Sequence, residues 1–202
     1  MILGSEQLAT LLGQADSSDD PLVITPPPDL VRLKKSGSAS VDLRLGTWFL
    51  ALRQARMTCL DISESLPEAK LTKTQYVRFG DYYYLHAGSF VLGVTLEWVR
   101  LPRNLAAYVI GRSSWGRRGL IIATATGVHP GFTGCLTLEL TNVGNIPIAI
   151  SPGMEVCQLF VHQVSRGESK ATDQSAFLGS RKPSLGSIKQ DSVARKLAKW
   201  KR

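Results

Sequence analysis

From Ser40 onward the chain is a succession of short apolar runs: Val41 to Leu45, Trp48 to Leu52, Tyr82 to Leu85, Phe90 to Leu96, Ala107 to Ile110, Leu120 to Thr124, Leu136 to Thr141, Ile146 to Ile150 and Val156 to Val164. Gly, Pro, Asn and Ser separate them. Runs of this length with turn residues between them predict a mainly β protein, a sandwich or barrel rather than alternating βαβ units. The clearest pattern lies in Cys135 to Thr141, where Leu136, Leu138 and Leu140 fall on one side and Cys135, Thr137, Glu139 and Thr141 on the other. That is the period of two of a strand with one face in a core. Ahead of the β region, Leu8, Leu11 and Leu12 share a face of a short helix, with Ser5 as its N-cap and Gly13 at its end. Asp16 to Pro28, acidic and then proline-rich, predicts an exposed loop. Near the far end, Val193, Leu197 and Trp200 recur at helical spacing among Lys and Arg, a basic amphipathic helix. No internal repeat is visible.

Length and composition narrow this picture. The 202 residues suffice for one good-sized domain and a tail, with a 44% hydrophobic and 20% charged content typical of globular chains. The expected partition is a β domain over 1–165 and a basic C-terminal segment over 166–202. Much of the net charge of +8 sits in that segment, above all from Arg181 to the end, where Arg181, Lys182, Lys189, Arg195, Lys196, Lys199, Lys201 and Arg202 face the single acid Asp191. The body is therefore near neutral, which argues against nucleic acid as its main partner. No apolar run approaches the roughly 20 residues of a membrane span, and Met1 to Glu6 lacks a basic start followed by an apolar stretch. A cytoplasmic protein without a membrane partner is expected. Its three cysteines, Cys59, Cys135 and Cys157, are too few and too scattered for a disulfide framework.

Candidate chemistry concentrates between Gly111 and Leu140. Gly111 to Gly119 gathers Arg112, Ser113, Ser114, Trp115, Gly116, Arg117 and Arg118 in one inter-strand loop. Hydroxyls, guanidinium forks and approachable backbone N–H groups suit an anion such as phosphate. The same residues read equally well as a hairpin turn with solvated arginines. Thr124 to Gly134 is small and turn-rich, able to wrap a flat base or to form a plain turn. Glu139, a carboxylate in mid-strand, is depleted there on propensity, and either serves chemistry or faces solvent. The zinc deaminase pattern H-x-E with P-C-x-x-C is absent, and His86, His129 and His162 are far apart, so zinc has no support. Ser113 and Ser114 lie outside any G-x-S-x-G elbow.

Taken together, Ser40-Val41-Asp42-Leu43-Arg44-Leu45-Gly46, Gly111-Arg112-Ser113-Ser114-Trp115-Gly116-Arg117 and His129-Pro130-Gly131-Phe132-Thr133-Gly134-Cys135-Leu136-Thr137-Leu138-Glu139 resemble dCTP deaminase, of the dCTP deaminase/dUTPase superfamily. Val94-Thr95-Leu96-Glu97 and Pro152-Gly153-Met154 leading to Gln158 resemble further segments of that family. The resemblance runs from Met1 to about Val164. It implies a distorted, dUTPase-like β fold, a homotrimer with active sites between subunits, and Mg²⁺ bound through the substrate triphosphate without zinc. It also implies that Arg112, Ser113, Ser114 and Arg117 line the phosphate loop and reaction centre, and that Thr137, Leu138 and Glu139 meet the cytosine. By the same resemblance Gln158 contacts nucleotide, and Phe177, Arg181 and Lys182 belong to a C-terminal lid.

One departure bears on the product. The family pattern carries an acid immediately before Pro-Gly, where this chain has His129 in a turn that is one residue shorter. In the dUTPases and bifunctional members that acid resembles the base for pyrophosphate release. The expectation is hydrolytic deamination of dCTP to dUTP and ammonia, with Glu139 moving the protons and Ser113 and Arg117 assisting. The alternatives are a bifunctional dCTP deaminase/dUTP diphosphatase, a dUTPase, or a nucleotide- or nucleic-acid-binding module using the basic tail.

Overall fold

A computed structural model of the chain describes residues 1–53, 68–123, 127–165 and 179–186. The helices are α1 (Ser5–Gly13), α2 (Leu30–Lys35), α3 (Glu68–Leu71) and α4 (Ser113–Gly116). The strands are β1 (Val23–Thr25), β2 (Val41–Arg44), β3 (Trp48–Leu52), β4 (Thr72–Tyr76), β5 (Tyr83–Leu85), β6 (Phe90–Arg100), β7 (Leu105–Gly111), β8 (Leu120–Ile122), β9 (Gly127–Val128), β10 (Thr133–Asn142), β11 (Ile148–Ile150) and β12 (Glu155–Gln163).

The alternation seen in Cys135 to Thr141 holds along all ten residues of β10, half-buried and buried positions succeeding one another without a break. One face of β10 therefore points into the core and the other, with Thr137 and Glu139, points out. Strands order as β4-β3-β6-β10-β8 in one antiparallel sheet, with β1 added on β6, and as β2-β12-β7-β9 in a second. β11 and β5 make a separate pair. A single buried cluster takes side chains from both large sheets, among them Leu43, Val91, Val99, Val109, Leu138, Leu140, Leu159 and Val161. The architecture is the sandwich form of the expected mainly β fold with a short N-terminal helix. None of the described helices is long and apolar enough to cross a membrane.

Several elements escape the hydrophobic pattern. Gly4, not Ser5, is the N-cap of α1; its N–H donates to Gln7 Oε1 at 3.2 Å, while Ser5 is buried in the first turn. Within the proline-rich stretch read as loop, Val23–Thr25 pairs with Trp98 to Arg100 of β6. Asp20 fastens the approach to it, accepting from the Arg103 N–H at 2.8 Å and pairing with Arg100 at 3.3 Å. Asp29 caps α2 by accepting from the N–H groups of Val31 and Arg32, both at 3.0 Å. The polar strand Thr72–Tyr76 has no apolar alternation and exists because it pairs with β3 along its length. Thr124 to Thr126, Phe177 and the helix expected from Val193 lie outside the described residues.

The fold also places part of the basic C-terminal segment. Residues 179–186 run along the start of β10: Gly179 N–H donates to Thr133 C=O at 2.7 Å and Cys135 N–H to Ser180 C=O at 3.0 Å. Pro183 is buried there, and Ser184 donates to Glu68 at 3.2 Å.

Candidate functional site

The outer face of β10 is set by a defect in its pairing with β6. Cys135 opposes Trp98 but Thr137 opposes Val94, so β6 carries extra residues at this point. Thr95 fills the gap. Its Oγ1 accepts from Leu136 N–H at 2.9 Å and donates to Glu97 C=O at 2.8 Å, with the residue only 2% exposed. Glu97 is equally buried; its two carboxylate oxygens accept from the Arg44 backbone N–H at 2.8 Å and Nε at 2.6 Å. A carboxylate taken out of water needs this pairing. The bulge is thereby tied to β2 of the other sheet.

Downstream of it, Glu139 stands half-buried, opposite Leu92, and among the described residues no hydrogen bond or ion pair engages its carboxylate. Glu139 C=O accepts from Ala123 N–H at 2.9 Å, and the next bond on that edge is Cys135 N–H to Ser180. By the two-residue period of a strand, the N–H and C=O of Thr137 point to the same edge, between Ala123 and Ser180. Among the described residues nothing bonds them. A donor and an acceptor side by side match the hydrogen-bonding edge of a pyrimidine. Leu138, expected to meet the base, is fully buried with its register partner Gly93; it locks the strand and offers the site no free group.

The second set of expected residues sits elsewhere. After β7 the chain enters one helical turn, Ser113–Gly116, rather than an irregular glycine loop. Arg112 is anchored at its entry: its N–H donates to Val156 C=O at 3.0 Å, and its Nη1 bonds Glu155 Oε2 and lies 3.3 Å from Asp42 Oδ1. Trp115, expected at the ligand, instead holds the turn down, its Nε1 donating to Glu155 C=O at 2.9 Å and its ring packed on the core. The exposed groups of the turn are Ser113, Ser114, Arg117 and Arg118, the last donating to Ser114 C=O at 2.7 Å. Gly116 faces open space, whereas Gly119, at φ +90°, would bring a Cβ within 2.9 Å of the Gly144 nitrogen. A hollow of about 620 Å³ lies against the turn, lined by Arg112, Ser114, Trp115, Arg118, Gly153, Met154 and Glu155. A neighbouring cavity of about 350 Å³ holds Gln158, which donates to Ser40 Oγ at 3.2 Å, together with Asp42, Arg44, Glu97 and Glu155.

Among the described residues no hydrogen bond, ion pair or shared cavity joins Glu139 to this turn. The turn joins β10 at its end, where Val143 N–H donates to Gly119 C=O, and Glu139 lies in neither cavity. Three residues from Asn142 to Glu139 are about 10 Å at strand rise. His129 is exposed in a turn whose Phe132 N–H returns to its C=O at 3.2 Å. Arg181 and Lys182 stand on the outer sheet, 5.4 Å from the Trp98 ring and 4.0 Å from the Trp48 ring, rather than beside the Arg112 turn. Sequence reasoning missed Thr95, Glu97 and Glu155, whose importance comes only from what they reach. Among the described residues no three His, Cys, Asp or Glu side chains converge as metal ligands.

Burial governs the thiols. It pushes Cys157 up to about 12, with the Glu97 and Asp42 carboxylates adding to the effect. Cys135 is raised by burial too, less so because the Arg181 charge pulls it down. Neither is a poised nucleophile.

Comparison with known proteins gives consistent matches. A family model described as dCTP deaminase-like covers residues 3–164. A dCTP deaminase of Natronomonas pharaonis is 40% identical over 160 residues, 79% of this chain and 78% of its own length. A protein of Dictyoglomus thermophilum named "dCTP deaminase, dUMP-forming" is 43% identical over 133 residues, 65% of this chain and 68% of its own length. Among solved structures, 2'-deoxycytidine 5'-triphosphate deaminase from Agrobacterium tumefaciens shares the fold, with a TM-score of 0.59 at 22% identity over 81% of this chain. This chain spans about half, 48%, of that one.

Proposed function

The chain belongs to the dCTP deaminase-like family, and from that premise we propose that it is a dCTP deaminase, converting dCTP and water to dUTP and ammonia. The observation that carries the reading is β10, which sets Glu139 beside Thr137 on its outer face, the Glu139 carboxylate and the Thr137 N–H and C=O having no partner among the described residues. The cytosine edge pairs with the N–H and C=O of Thr137. Glu139 takes a proton from water as the oxygen adds to C4 and delivers it to ring N3, then carries the proton of the new C4 hydroxyl to N4, so that C4=O forms as the C4–N4 bond breaks and ammonia leaves. Positioned proton transfer of this kind contributes about 10²–10⁴-fold. Ser113 and Arg117 orient the water and stabilise the developing charge, and Arg112, Ser114 and Gln158 take the phosphates.

The separation of Glu139 from the Arg112 turn within one chain supports an active site assembled between subunits of a homotrimer, one supplying Glu139 and a neighbour the phosphate turn. Mg²⁺ bound through the triphosphate would neutralise part of its charge, and the Ser113 and Ser114 hydroxyls and Asp42 Oδ1 are the hard oxygen donors beside the turn that would suit it. Zinc has no part in the scheme. Residues 166–202 act as a lid, and Cys135 and Cys157, both free thiols, suit a cytoplasmic enzyme.

A second reading has specific support. Relatives from Dictyoglomus and Halobacterium are named dUMP-forming, which favours dUMP as the product; His129 in place of the acid before Pro-Gly favours dUTP. Incubating the protein with Mg²⁺ and dCTP, CTP or dCMP while following ammonia and pyrophosphate tests both. Ammonia from dCTP without pyrophosphate is expected. Stoichiometric pyrophosphate establishes the dUMP-forming reaction, and absence of ammonia from every cytosine nucleotide removes the deaminase.

A further inference from the structure

The proposal above leaves Glu155 without a role, although it touches the phosphate turn twice. Its side chain bonds Arg112 at the entry to the turn, and its backbone C=O accepts from Trp115 Nε1 at 2.9 Å inside the turn. It also lines both the hollow beside Ser114 and Arg118 and the cavity containing Gln158. A guanidinium has five N–H donors in a rigid planar fork. In this chain Glu155 Oε2 and Asp42 Oδ1 both address Nη1 of Arg112, the latter at 3.3 Å. Among the described residues, no partner takes the Nη2 and Nε side of the fork, and that side has the spacing for two phosphate oxygens.

We infer that Glu155 is a positioning residue for triphosphate binding: it holds Arg112 by Nη1 so that the opposite edge of the guanidinium faces the phosphates. The inference rests on Arg112 being a phosphate ligand, as proposed above. Glu155 touches neither the base nor the reacting C4, so its action is confined to phosphate affinity. Val156 and Cys157 beside it are buried core residues, and β12 continues whatever side chain stands at 155.

The test compares Glu155→Ala, Glu155→Gln, Arg112→Gln and the double variant Glu155→Ala/Arg112→Gln in steady-state deamination, with inorganic triphosphate as a competing probe that has no base. For Glu155→Ala the KM for dCTP and the inhibition constant of inorganic triphosphate rise together by about tenfold, the scale of one charge-assisted hydrogen bond lost, with kcat within about twofold. Glu155→Gln, which keeps an acceptor oxygen, stays within about threefold of the parent. In the double variant the Glu155 change adds nothing to Arg112→Gln. A fall in kcat or melting temperature without a KM change, a KM rise that inorganic triphosphate does not share, or full additivity with Arg112→Gln overturns the positioning role while leaving the phosphate turn intact. If Arg112→Gln alone leaves KM and triphosphate inhibition unchanged, the underlying assignment of Arg112 fails, and the inference falls with it.

Discussion

Replacing Thr95 by Val tests the link between the β-bulge and the candidate site. The change is nearly isosteric, but it removes the oxygen that accepts from Leu136 N–H at 2.9 Å and donates to Glu97 C=O at 2.8 Å. At 2% exposure no water replaces it. Leaving a buried N–H unpaired costs about 1–3 kcal/mol, and losing the bond to Glu97 about 1 kcal/mol more. The added methyl returns about 0.8 kcal/mol, for a net loss of about 1–3 kcal/mol. At about 2–4 °C per kcal/mol for a domain of this size, the melting temperature falls by about 2–12 °C. Thr95→Ser keeps the hydroxyl and loses one buried methyl, so it costs about 1 kcal/mol. The assay is chemical denaturation of the three proteins at one protomer concentration, because any association adds to apparent stability. A Val variant as stable as the parent, or a Ser variant worse than Val, would refute the claim that the hydroxyl closes the bulge.

Three further outcomes are expected. Glu139→Gln retains dCTP binding by calorimetry but loses about 10²–10⁴-fold in ammonia release; undiminished turnover would remove Glu139 from proton transfer. Gly119→Ala, placed at φ +90° with its Cβ 2.9 Å from the Gly144 nitrogen, destabilises by about 1–3 kcal/mol, and an unchanged denaturation midpoint would contradict the close approach. For Cys157 the folded value is raised from 9.0 to about 12, so between those pH values the unfolded chain binds fewer protons than the native one. Stability falls as pH rises through that window. The stability lost on Cys157→Ala should therefore be largest at pH 8 and shrink at pH 10.5, and a deficit that grows with pH would show the sign to be wrong.

The local patterns were legible without coordinates. Strict alternation from Cys135 to Thr141 put Leu136, Leu138 and Leu140 inside and Glu139 outside, and β10 keeps that arrangement. Punctuation by Gly, Pro, Asn and Ser was enough for the mainly β class, because strands such as β2 and β10 carry their own apolar period. Elements lacking such a period were not legible. Thr72–Tyr76 is a strand only because β3 offers it a partner, and Val23–Thr25 only because β6 does. The helix after the prolines announced itself through Asp29, a capping signal that the proline-rich context masked.

For the candidate site the division follows reach along the chain. Residue types in Gly111 to Gly119 pointed to an anion, and the mid-strand carboxylate to proton chemistry, since both signals lie within a few residues. Tertiary structure alone decided that Thr95 bonds Leu136 across 41 positions and that Arg112 is held by Glu155 across 43. It also decided that Trp115 anchors the turn and that Glu139 and that turn stand apart on one chain. Side-chain period is a property of a strand and can be read from it, whereas the partner of a guanidinium or hydroxyl depends on which strands meet, and pairing of distant strands leaves no local trace.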